Sequence, residues 1–288
     1  MLRRSCAPSL LAVALLFAPA AAAGPIALSP DPTYPDFWQR DSHITNGSIA
    51  CGPTAATDSL YWLANRYGLP NLEGSTWQAV DNLLGSASFM QTWSRNSTYS
   101  GYFLSGETRY VQSLGDQSEL NVHGLLAAGS DAPPTVAWLE NELARGAAVD
   151  VEIGWIRDNP PGQSDTWVNG HFVALTGYDS TGFYISDPWI NDSSNQDRLS
   201  IYPAPVSLTF SFDAFGNSRS PYTKAYTQVR LGPWDIGSTY DEQVIFAAIA
   251  IDPIPEPATL VLAGVTVLLM AAFRGVGSHT ARRTVWSL

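Results

Sequence analysis

The sequence predicts an α+β fold, and three observations point there. Helix-forming stretches concentrate before residue 146. Alternating apolar runs concentrate after it. A turn of hairpin type, Asp179-Ser180-Thr181-Gly182, joins two of those runs.

Residues 24–38, rich in proline, aspartate and aromatics, read as an extended entry segment, and 39–50 as a polar loop. From Cys51 the spacing predicts a helix. Pro53 suits its first turn, where a missing N–H has no partner to lose. Ala56, Leu60, Leu63 and Tyr67 fall on one face, and Gly68 and Pro70 supply the stop. A short helix is expected over 75–84, ended by Gly85. The Ser-, Asn- and Tyr-rich stretch 86–102 reads as loop, 106–114 as a helical turn, and 115–131 carries no clear signal. Pro133-Pro134 opens a helix over 135–145 with Val136, Leu139 and Leu143 on one face, ended by Gly146. Residues 147–156 alternate as a strand, with Val149, Val151 and Ile153 on one side. Pro160-Pro161-Gly162 marks a loop. Strands are then expected over 171–178 and 183–189, with further β-like runs at 206–212, 226–231 and 244–251.

The two ends have a different character. Residues 1–23 combine Arg3 and Arg4 with an apolar middle and a small-residue stretch, the layout of a secretory signal peptide cut near Ala23. Residues 258–273 form an uncharged apolar run of 16 residues, followed by Arg274, Arg282 and Arg283. That is just under the span of about 17–25 residues that crosses a bilayer, and the arginines place the tail on the cytoplasmic side. The expected organisation is a signal segment (1–23), one folded domain (24–252) outside the cytoplasm, and a tail (253–288).

The chain carries 15 basic and 26 acidic side chains. All the acids lie in residues 24–257; residues 1–23 and 258–288 take five arginines with them and leave that part at −16. Such a balance argues against nucleic acid, whose phosphates need a basic face. Once Cys6 leaves with the signal segment, Cys51 is the lone thiol, with no intrachain partner. In an exported protein a lone thiol is either reactive or deeply buried. At a helix N-terminus, free N–H groups and the positive end of the dipole favour thiolate, the nucleophilic form.

Cys51 needs a base. His171 follows Asn169-Gly170 and opens a strand, so its ring stands on a rigid edge, whereas His123 has no flanking pattern and His43 lies in a polar loop. Asp187 ends the strand that pairs with the one beginning at His171. Across the hairpin the two side chains are expected to meet, the carboxylate orienting the imidazole. The backbone N–H of Cys51 and a side-chain amide would form an oxyanion hole; Gln39 and Asn46 are the candidates, and Gln39, beside Trp38, is the one expected. The histidines and cysteine match no zinc spacing, the polar loop with Asp192, Asn195 and Asp197 fits no calcium-loop pattern, and no Gly-rich phosphate loop occurs. No cofactor and no metal are expected.

These residues resemble the C39-like branch of papain-like cysteine peptidases. Cys51-Gly52-Pro53-Thr54-Ala55-Ala56 opens a helix, and Leu139 through Val151 reads as a helix, Arg145-Gly146, then a strand. Gly170-His171-Phe172-Val173-Ala174-Leu175-Thr176-Gly177-Tyr178-Asp179 leads on to Tyr184-Ile185-Ser186-Asp187-Pro188-Trp189. The resemblance implies a papain-like fold, in which an N-terminal helix carrying the cysteine packs on an antiparallel sheet carrying histidine and acid. It implies Cys51 as nucleophile, His171 as base and Asp187 as orienting residue, acting on a peptide or protein substrate. Relatives carry the oxyanion glutamine about six residues before the cysteine; Gln39 lies twelve before it, which implies a longer loop. Residues 71–134 and 199–252 fall outside the matching stretches and read as elaborations around the groove.

Pro255-Glu256-Pro257 ahead of the apolar run resembles a PEP-CTERM sorting signal. That implies an exosortase as partner and a transient membrane anchor through 258–273. The combined expectation is an exported cysteine peptidase. The alternatives are a non-catalytic matrix-binding module with Cys51 buried, or an acyl transferase in which an amine intercepts the thioester.

Overall fold

The computed structural model describes residues 27–115, 119–128, 131–191, 197–231 and 240–254. The expected signal segment, the Pro255-Glu256-Pro257 motif and the apolar run 258–273 lie outside the described residues. Among the described residues no helix is long and apolar enough to cross a membrane.

The molecule is a mixed α/β structure built on a large antiparallel sheet. Helices α1 (Cys51–Tyr67), α2 (Trp77–Leu84), α3 (Thr92–Arg95) and α4 (Ser100–Leu114) precede strand β1 (Leu120–Leu126) and helix α5 (Val136–Ala144). Strands β2 (Ala148–Arg157), β3 (Thr166–Asp179), β4 (Gly182–Ser186) and β5 (Asp197–Ile201) follow. After them come β6 (Val206–Phe212), β7 (Ser218–Tyr226), β8 (Val229–Leu231) and β9 (Glu242–Pro253). Seven strands form one sheet in the order β1-β9-β2-β3-β4-β5-β8, and β6 and β7 form a separate hairpin. Every neighbouring pair is antiparallel.

Both faces of the sheet are covered. On one, Leu60 and Leu63 of α1, Phe103 and Tyr110 of α4 and Phe210 of the hairpin pack with Phe172 and Phe246. On the other, Leu139 and Leu143 of α5 pack with Val149, Val151, Ile153, Val173 and Leu175. Alternation along β2 and β3 sends successive side chains to these two cores.

Several expectations change. Helix α1 is buried nearly all round rather than along one stripe, and Tyr67 is exposed. Its polar side chains are satisfied internally: Thr57 Oγ1 donates to Pro53 O at 2.8 Å, and Thr54 Oγ1 to Asp81 Oδ2 at 2.5 Å. Part of the expected loop 86–102 is helical, because α3 lies within it and α4 begins at Ser100. Gly101 and Gly106 weaken the helical signal of α4, yet both are packing contacts. A Cβ at Gly101 would lie 2.6 Å from Phe215, and one at Gly106 2.6 Å from Met90. Strand β3 begins five residues before His171, which therefore sits mid-strand opposite Ile153. Strand β9 is no elaboration: it runs through the sheet between β1 and β2.

Candidate active site

Helix α1 brings Cys51 to the rim of a cavity. Thr54 N–H bonds Ala50 O at 2.9 Å, and no side chain caps the helix. The N–H groups of Cys51 and Gly52 have no acceptor within the helix, as at any helix start. Gly52 is required there, because a Cβ would come within 2.7–2.9 Å of Thr98. Cys51 is a free thiol of intermediate exposure.

The sheet brings His171 to the same rim. The β3–β4 hairpin turns at Asp179–Gly182, and its register shifts between Leu175 and Gly177, leaving Ala174 opposite Ser186. Continuing that register sets Asp187 across from Val173, in the same alternation phase as His171. The result is a 2.6 Å contact between His171 Nε2 and Asp187 Oδ1. Asp187 Oδ1 also accepts from Trp189 N–H at 2.9 Å, which fixes the carboxylate. With Nε2 committed, Nδ1 remains for Cys51, whose side chain is hydrogen-bonded to His171. Burial disfavours the imidazolium, but the Asp187 carboxylate and the bond to Cys51 outweigh it. His171 is pushed up to about 10.

Gln39 joins them from the entry segment. Its backbone N–H donates to Pro188 O at 2.8 Å, and the guanidinium of Arg40 lies 3.6 Å over the Trp189 ring. Its Nε2 donates one hydrogen to Gly47 O at 2.7 Å. A second amide hydrogen is left. Gly47 is pressed on this loop, since a Cβ there would come 2.3 Å from Gln39 O. Gln39, Cys51 and His171 line one cavity of about 560 Å³. Asn46, the other amide considered, is exposed, accepts from Ser48 at 2.8 Å and does not line the cavity. His43 is exposed beside Asp41 at 2.9 Å, and His123 lies on β1, so neither faces Cys51 in the cavity.

Trp155, Trp167, Trp189, Phe172, Phe212 and Phe246 supply the cavity's aromatic walls. Its charged or titratable lining comes from Cys51, His171, Tyr99, Glu152 and Asp213, with no lysine or arginine among the described residues.

The sequence reading missed a buried acidic layer behind the site. Tyr34 Oη lies 2.7 Å from Ser59 Oγ, which donates to Asp150 Oδ1 at 2.8 Å; Asp150 in turn pairs with Glu107. Burial raises Asp58, Glu107 and Asp150 well above the usual carboxylate range, Asp81 to about 7 and Glu152 to about 8. The signal was present as acids alternating with valines in Val149-Asp150-Val151-Glu152-Ile153. That pattern ordinarily means one wet face, but here both faces are covered.

One trio among the described residues has the chemistry of a metal site. Ligand atoms of His123, Glu142 and Asp252 lie within 4.8 Å of one another. Arg145 Nη2 already occupies it, 3.0 Å from Glu142 Oε2 and 2.5 Å from Asp252 Oδ2. Asp192 and Asn195 lie outside the described residues, and Asp197 opens β5.

Compared with known proteins, residues 33–229 match the model of the Peptidase_C39 like family. A crystal structure from Bacillus anthracis named as a C39-like peptidase is 13% identical. The alignment covers 58% of this chain and 86% of that one, with a TM-score of 0.38. No curated protein matches the chain.

Proposed function

The chain belongs to the C39-like peptidase family, and from that membership we propose that it hydrolyses peptide bonds through an acyl-thioester on Cys51. One observation carries the reading: His171 is held between Asp187, 2.6 Å from its Nε2, and the thiol at the start of α1.

In the proposed reaction the Cys51 proton passes to His171 Nδ1 and the sulfur attacks the scissile carbonyl carbon. The carbonyl oxygen becomes an oxyanion, received by the Cys51 N–H and the second amide hydrogen of Gln39. Collapse breaks the C–N bond, and the imidazolium protonates the leaving amine. Water then adds to the thioester with His171 as base. The carboxylic acid leaves, and the thiol is restored. Asp187 keeps the ring oriented and offsets its positive charge. No cofactor enters this scheme.

Cys51→Ala tests the proposal. The variant should keep its thermal transition and lose both turnover of a fluorogenic peptide library and iodoacetamide labelling. A Cys51→Ala protein that still cleaves would overturn the nucleophile assignment. A wild-type thiol inert to iodoacetamide until denatured would favour the non-catalytic module.

The same proposal puts the enzyme outside the cytoplasm. Residues 1–23 would direct export, Pro255-Glu256-Pro257 would meet an exosortase, and 258–273 would hold the chain transiently in the membrane. The intact mass of the mature protein checks this: loss near Ala23 is expected, and a full-length product contradicts it.

A further inference from the structure

Glu152 is a buried carboxyl that the proposed reaction does not use. It lies on β2 opposite Phe172 of β3 and Ala247 of β9. Directly paired residues share a sheet face, so its side chain stands on the side of α1 and α4, among the lining of the cavity. It is 6% exposed. Ser100, the first residue of α4, donates a hydrogen bond to it, while Oε2 has no partner.

The cavity of about 560 Å³ beside it leaves room for a guest. The next pair on that face is Gly154 and Gly170, whose missing side chains make way for an aromatic ring. The ring of Trp167 lies over both glycines: a Cβ at either would come within 2.5–2.7 Å of it. Trp167 in turn meets Phe246 at 4.8 Å and Phe212 at 6.0 Å between ring centroids, giving an aromatic wall. The other acid of the cavity, Asp213, is already engaged. Its oxygens accept from Phe215 N–H at 2.9 Å, Asn217 N–H at 2.9 Å and Asn217 Nδ2. Glu152 alone among the lining acids has an oxygen without a partner.

A carboxyl at the end of an aromatic-walled recess suits a group with an apolar stem and a cationic tip. Lysine and arginine side chains have that form: the methylenes pack on the rings, and the tip gains both the carboxylate and the ring faces. We propose that the cavity contains a subsite for a basic side chain of the substrate, with Trp167 as its wall and Glu152 as its charged end, the carboxyl giving up its proton to solvent as the cation enters. The proposal rests on the peptidase reading only in assuming that a peptide occupies the cavity. The absence of lysine and arginine from the described lining fits it, and the titratable ring of His171 there is paired with Asp187 rather than with Glu152.

Binding and cleavage are to be measured separately. The probes are tetrapeptide amides in which lysine or norleucine is walked through each position of an alanine host. Binding is read by tryptophan fluorescence on Cys51→Ala protein, where no turnover occurs. The expected result is that lysine binds at least about tenfold more tightly than norleucine at one position, a difference of about 1.4 kcal/mol. In Cys51→Ala/Glu152→Gln that ratio should fall to within about threefold. Glutamine keeps the shape and the hydrogen bond from Ser100, so a merely structural Glu152 would leave the ratio unchanged. Equal binding of lysine and norleucine, or a preference that survives Glu152→Gln, overturns the subsite. If Cys51→Ala/Glu152→Gln does not fold, Trp167→Leu in the Cys51→Ala background must reduce the lysine preference, and an unchanged preference overturns the subsite. Cleavage of the same peptides by wild type bears on the peptidase reading alone. A lysine preference in binding without any cleavage would reject the peptidase and keep the cation subsite.

Discussion

Ser186 Oγ lies 3.1 Å from Asp58 Oδ2, joining the strand that precedes Asp187 to the helix that begins with Cys51. The same hydroxyl lies 3.0 Å from Asp36 Oδ1, while Asp58 Oδ1 accepts from Phe37 N–H at 2.9 Å. The helix that begins with Cys51, the strand that leads to Asp187 and the entry segment with Gln39 thus meet at one buried hydroxyl.

Ser186→Ala should therefore act on both stability and activity. Removing the hydroxyl leaves Asp58 short of a partner in a dry site, at a cost of about 1–3 kcal/mol. Urea denaturation reads the stability, and kcat with the best library peptide should fall while KM moves little. A variant as stable as wild type would show that this junction contributes nothing.

Asp187→Asn tests the ring's partner. The carboxylate is the main influence raising His171, so the imidazole should titrate well below the wild-type value of about 10. Turnover should drop by about 10²–10⁴-fold, as when a triad acid is neutralised. Ring ¹⁵N shifts followed against pH supply the titration; an unmoved midpoint contradicts the assigned coupling.

Gln39→Ala should lower kcat by about 10²–10³-fold with a smaller change in KM, as for loss of one oxyanion donor. Gln39→Glu should be at least as damaging, since it places an acceptor where a donor is needed. Comparable kcat in all three proteins would remove Gln39 from the oxyanion site.

Stability should decline as pH rises. Asp81 is raised to about 7, Glu152 to about 8 and His171 to about 10. A group whose proton is held more tightly in the folded state stabilises it fully below the unfolded pKa. That contribution is lost as pH climbs through the folded value. For the two acids the loss spans about pH 4 to 8, and for His171 about pH 6.5 to 10. Each proton contributes a slope of up to about 1.4 kcal/mol per pH unit. Asp31, Asp41 and Asp213 are lowered and act in the opposite sense, but only in acid. Melting temperatures at pH 5, 7 and 9 should fall in that order; a rise toward pH 9 contradicts the buried acidic layer.

Much of the site was legible because it depends on local signals. Pro53 and Gly68 bracket α1, and the four residues at 179–182 close the hairpin, so Cys51, His171 and Asp187 could be placed from neighbours in sequence. What was not legible depends on contacts between distant segments. Gly101 and Gly106 argue against a helix until Phe215 and Met90 are seen packed on them. Asp58, Asp150 and Glu152 look like solvent-facing residues until a second layer covers them. Gln39 stood ahead of Asn46 in the sequence only for its place beside Trp38; its N–H bond to Pro188 O and its place in the cavity lining separate the two in the structure. The position of β9 carried no local signal at all.

That position governs the order in which the molecule can be assembled. A chain delivered from its N-terminus presents β1 and β2 long before residues 242–253 arrive to bridge them. Until then the two strands keep unpaired edges, and Ala148, Val149, Val151 and Ile153 lack neighbours such as Ile245 and Ile249. Closure is a long-range event, slow by nature and open to aggregation while it waits. A nascent fragment that stops at residue 229, where the family match ends, would carry Cys51, His171 and Asp187 yet leave a gap through the middle of its sheet. The continuous sheet is therefore completed late, after nearly all of the described chain has been released.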